Sequence, residues 1–81
     1  MSVYQEVEGE LALWRAALSS LLADATRYHF TRRDDTRLRA AYDDVVSLGP
    51  MLCRLCGYAL ADPELVRRAW LRQLSEHRRA A

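Results

Sequence analysis

The chain has 81 residues, 51% of them apolar, and a formal net charge of +1. That length makes one domain, which buries only about 60% of its unfolded surface, and the apolar share suits a packed core and not a disordered chain. No run of about 18 apolar residues marks a membrane span, and so small a domain struggles to enclose the roughly 300 to 1,000 Å³ of a typical ligand pocket. Composition thus points to a binding module without a cofactor or small-molecule substrate, and away from an enzyme.

The first expected element is a long helix over about residues 3–30. Tyr4, Val7, Leu11, Trp14, Leu18, Leu21, Ala25 and Tyr28 alternate at spacings of three and four, an a/d heptad seam. Leu22 widens that stripe into a core-facing band. Gly9 costs roughly 1 kcal/mol inside a helix, and Glu6, Glu8 and Glu10 sit near the end that the helix dipole makes favourable for acids. A helix of about 27 residues is roughly 40 Å long, more than three short helices cover. Its seam, with Val7, Leu11, Trp14, Leu18 and Leu21, is therefore expected to pair with a second copy or a foreign helix.

"TRRDDT", residues 31–36, is a polar break in which Thr31, Asp34 or Asp35 can cap the next helix. That helix, about 35–48, shows Leu38, Ala41, Tyr42, Val45 and Val46 on one face. "SLGP" ends it: Gly49 suits the residue after a helix, and Pro50 starts the third, about 50–60. Met51 or Leu52, Leu55, Cys56 and Ala59 form its stripe. "ADP" stops it, with Asp62 as cap and Pro63 as first residue of a fourth helix, about 63–77, carrying Leu65, Val66, Ala69, Trp70, Gln73 and Leu74. Residues 1–31 sum to −2 and residues 64–81 to +3, so the C-terminal end is basic. No segment alternates with period two, so no strand is expected. The expected fold is all-α, a compact four-helix bundle in one domain, residues 1–81, with a tri-helical helix-turn-helix-like unit after the long helix.

The Asp62-Pro63 corner fits a helix-turn-helix, which needs a small residue where two helices cross and apolar residues at set offsets. Cys56 is the small residue, and Leu55, Ala59, Ala61, Val66 and Ala69 are the supports. The outward face of the fourth helix then offers Glu64, Arg67, Arg68, Leu71, Arg72 and Ser75, followed by Arg78 and Arg79 in the basic tail. All twelve basic residues are arginine, each a planar fork suited to carboxylates, phosphates and guanine edges. Leu60 holds the turn position that glycine usually fills.

Trp14, Asp24-Ala25, Cys56, Ala59, Asp62-Pro63 and Val66-Arg67 together resemble a loose group of small, mostly uncharacterised proteins of temperate phages and prophage regions. The likeness spans most of residues 13–67. It implies a phage or prophage origin, and with it either gene regulation or the binding and disabling of a host protein.

"CRLCG" matches half of a zinc knuckle. His29 and His77 are each more than twenty residues from a cysteine, so a zinc site at Cys53 and Cys56 would have to pair two chains. The simpler expectation is a buried Cys56 and a half-exposed Cys53, with no metal. Two cysteines three apart cannot staple a small secreted fold. The start of the chain also lacks a secretion pattern, so a cytoplasmic protein with free thiols is expected. Asp34-Asp35 and Asp43-Asp44 are read as solvated charges, and His29 as an end charge on the first helix. The leading expectation is a DNA-binding regulator that dimerises through its first helix. The alternative is a module that binds and inhibits a host protein, as in host takeover, and a third is a zinc-linked dimer through the CxxC.

Overall fold

The computed structural model describes the backbone of residues 3–80 and the side chains of residues 8–77. It contains α1 (Val3–Thr31), α2 (Thr36–Val46), α3 (Pro50–Tyr58) and α4 (Pro63–Ala80), with no strand among the described residues. The all-α four-helix bundle is as expected. Among the described residues, no helix is long and apolar enough to cross a membrane.

Aspartates start three of the helices. Asp35 Oδ1 accepts from the Arg37 and Leu38 amides at 3.0 and 3.2 Å and opens α2. Asp62 Oδ1 accepts from Glu64 and Leu65 at 2.9 and 3.4 Å and opens α4. These bonds satisfy amides that a helix start leaves without partners. The third start differs. Gly49, the residue before α3, has no side chain to offer. Asp44 reaches over from α2 instead, taking the Met51 amide at 3.2 Å and the Leu52 amide at 2.7 Å. Asp44 is thus a cap supplied from another helix, not the solvated charge expected from sequence.

Each of the first three helices ends on a non-glycine residue in the left-handed region: Arg32 (φ 50°), Leu48 (φ 55°) and Leu60 (φ 56°). After α2, the Gly49 amide donates to Asp44 O at 2.7 Å; after α3, the Ala61 amide donates to Cys56 O at 2.8 Å. Both spans are the six-to-one closure of a Schellman end, whose turning residue is usually glycine. The left-handed position after α2 is therefore Leu48 and not Gly49, whose φ is −73°. Gly49 is needed for space: a Cβ there would collide with the Asp44 carboxylate. These closures also stop α2 at Val46 and α3 at Tyr58, two residues short of the expected 48 and 60, while α4 runs on to Ala80, past the expected 77.

The core lies where α1 packs on α2 and α3. Leu18 and Ala25 of α1 meet Ala41, Val45, Leu52, Leu55, Cys56 and Ala59. Val45, Leu52 and Cys56 are the largest fully buried side chains. Helix α4 joins through Trp70 and Leu74, with Val66 half-buried. The Trp70 indole N–H donates to Thr26 Oγ1 at 3.0 Å, and that hydroxyl donates to Leu22 O at 2.7 Å. This bond fixes the rotation of α4 against α1. It leaves Leu65, Ala69 and Gln73 exposed, although their spacing had placed them on the inner stripe.

Candidate partner-binding surfaces

The cap at Asp62 and the bond from Trp70 decide which side chains of α4 face outward. Glu64, Leu65, Arg68, Ala69, Leu71, Arg72, Ser75 and Glu76 are exposed. Leu65 is 57% exposed and Leu71 44%. Arg67, expected on this face, is turned inward: its Nη1 donates to Val46 O at 3.0 Å. Val46 O belongs to the end of α2, where helix carbonyls have no partner of their own, so Arg67 closes α2. Its Nε lies buried with no hydrogen-bond partner. The side chains of Arg78 and Arg79 lie outside the described residues. Among the described residues, Arg68 and Arg72 are then balanced on this face by Glu64 and Glu76.

The corner itself has helix-turn-helix features. Residues 59–62 join α3 to α4. Cys56 is fully buried where a small residue is required, and Ala59 is 2% exposed. Leu60 adopts the backbone that glycine gives such a turn. The departures are the exposed Ala69 and the inward Arg67.

The CxxC is split by burial. Cys53 is exposed, with Sγ 3.4 Å from Leu48 O, while Cys56 is 0% exposed, and both are free thiols. Burial pushes the Cys56 thiol above its ordinary pKa, with smaller contributions from Cys53 and Asp62. The two sulfurs present no common surface to an ion shared between chains, and among the described residues no cluster of three or more metal-binding side chains occurs.

The α1 seam is used in part by its own chain. Leu18 is buried, and Leu21 is half-buried beside a groove of about 440 Å³ whose other walls include Asp24, Arg37, Ala41, Asp44, Met51 and Arg54. That volume lies in the range of ligand sites, contrary to the size argument from composition, but the exposed Arg37, Met51 and Arg54 leave it an open trough. Leu11 and Trp14 are half-buried, and Trp14 stacks on Tyr58 with centroids 4.5 Å apart. The Val7 side chain lies outside the described residues.

Sequence reading missed the aromatic end where α1, α2 and α4 converge. Tyr42 tilts against Tyr28 at 5.1 Å and meets Trp70 edge-on at 6.0 Å, and Phe30 meets His77 at 5.1 Å. The Arg32 guanidinium lies 5.0 Å from the Tyr42 centroid and 5.3 Å from that of Tyr28. Hydrogen bonding to Tyr42 raises its pKa, burial opposing. His29 stands in the last turn of α1, the expected end position, where its ring also stacks on Tyr42 at 6.1 Å and meets Phe30 edge-on at 5.0 Å. Against known proteins, the chain matches no family model, and no curated protein or solved structure is significantly similar to it.

Proposed function

We propose that this chain is a protein-interaction module and that the outward face of α4 binds its partner. One observation carries the reading: among the described residues, that face sets exposed Leu65 and Leu71 beside Arg68 and Arg72, with Glu64 and Glu76 exposed among them. Arginine is enriched at protein-binding hot spots, and the leucines beside it offer apolar area that a partner can bury. A protein built for DNA carries a strong net positive field, whereas the whole chain has a pI of about 7.8. The partner that fits is a protein with an apolar ridge flanked by carboxylates. The resemblance to phage and prophage proteins points to a protein of a bacterial host. Occupying a surface that the host protein needs would inhibit it.

DNA binding is the second reading, favoured by the left-handed Leu60 and the buried Cys56 at the α3–α4 corner. Fluorescence anisotropy of a labelled duplex separates the two. The interaction module shows no binding at low salt. A regulator binds and then loses affinity by orders of magnitude between about 50 and 200 mM salt. Such binding, lost in Arg68→Ala with Arg72→Ala, would overturn the first reading in favour of the second.

A further inference from the structure

Where the α1 seam meets the end of α3, Leu11, Trp14, Gly57, Tyr58 and Leu60 line an open groove of about 320 Å³, with Glu10 at its edge. Tyr58 is 51% exposed and Leu60 76%. Leu60 also sits at φ 56°, a conformation that glycine adopts freely and leucine only at a cost. A strained apolar side chain that shields no core of its own chain points to a role outside it.

The flanking charges and the position of α3 together indicate what fills the groove. In the heptad frame set by Leu11 and Trp14, Glu8 and Arg15 both take e positions, and both are exposed. Glu10 takes the opposite, g flank and lines the groove with α3 residues. Antiparallel pairing of two such helices sets e against e and g against g. It puts Glu8 of each copy beside Arg15 of the other, two opposite-charge contacts about one axis. It also brings both α3 ends to the same side of the crossing, so that Tyr58 and Leu60 meet their counterparts. Parallel pairing would set e against g, Glu10 beside Arg15, and leave the α3 ends on opposite sides, so the position of Tyr58 and Leu60 selects the antiparallel arrangement. We infer that a second copy of this chain covers the groove, in an isologous dimer whose α1 helices cross antiparallel near Leu11 and Trp14. Leu18, one turn further along, is buried in its own core, which confines the interface to this end. The face is separate from the outward face of α4, so the inference stands apart from the partner proposed above.

Sedimentation equilibrium from micromolar to millimolar protein tests it. The mass is expected to rise from 9.3 kDa toward twice that value. Leu60→Gly relieves the backbone and removes the knob, so the fold is kept while Kd rises by about tenfold or more, some 1.4 kcal/mol. Glu8→Arg and Arg15→Glu each weaken the dimer, and the two together restore it. A chain that stays at 9.3 kDa throughout, a dimer indifferent to Leu60→Gly, or a double variant no tighter than the single ones would overturn the inference. So would a dimer that responds to Glu10→Arg and not to Glu8→Arg, the mark of parallel pairing.

Discussion

Leu60 shows how one residue can carry a backbone cost that its side chain does not offset within the chain. Replacing it by glycine is expected to raise the stability of dilute, monomeric protein by about 1 kcal/mol, since a non-glycine residue in the left-handed region costs roughly 1–2 kcal/mol. A lower Tm in Leu60→Gly would show that the leucine packs on its own chain after all. Asp44 works the other way. It looked like one of two solvated acids, yet it holds the Met51 and Leu52 amides at the start of α3. Asp44→Ala is expected to cost about 1–2 kcal/mol, the range of a lost helix cap, and urea unfolding measures it. Sequence could not place this cap, because the rule for finding one looks at the residue just before a helix. That residue is Gly49, and only the folded turn brings Asp44 over it. The two thiols separate just as sharply. With Cys56 buried and its pKa raised, a thiol reagent at neutral pH should modify only Cys53 in the native chain, and both after unfolding. Rapid modification of both in the native chain would contradict the core position of Cys56.

At the scale of elements, heptad spacing was enough to find α1, and the Asx-Pro and Gly-Pro breaks were enough to separate α2, α3 and α4. Those signals are local: caps, breakers and the helical period act within a few residues. The rotation of α4 was not local. Leu65, Val66, Ala69, Trp70, Gln73 and Leu74 make a stripe too wide to choose an inner edge from. The choice falls to the Trp70 bond with Thr26, 44 residues away in sequence. That bond turns Arg67 toward Val46 O and leaves Arg68 and Arg72 outside, so the expected set of outward arginines was right only in part. It also makes Trp70 the anchor of α4. Trp70→Ala is expected to cost about 3–5 kcal/mol, as for other buried tryptophans, and to drop amide protection in α4 before that in α2 and α3. Equal loss of protection in all helices would show that α4 is not a separable unit. Arg67→Ala should cost about 1 kcal/mol through the freed Val46 carbonyl, so its effect on binding must be read against its melting curve.

For the molecule as a whole, a near-neutral charge and a short chain support the proposed class of function more than any motif does. The basic C-terminal end suggests a DNA-reading helix only where its arginines face outward together. With Arg67 turned toward Val46 O, the outward face of α4 sets Arg68 and Arg72 among Glu64 and Glu76 and beside the exposed Leu65 and Leu71. The most direct test is in-cell photo-crosslinking in a bacterial host from a photoreactive residue at Leu71, with the same residue at the exposed Ala23 of α1 as control. The account predicts a discrete protein adduct from Leu71, none from Ala23, and loss of the adduct when Arg68→Glu and Arg72→Glu are added. Adducts formed equally from both positions, or a Leu71 adduct that consists of nucleic acid, would contradict it.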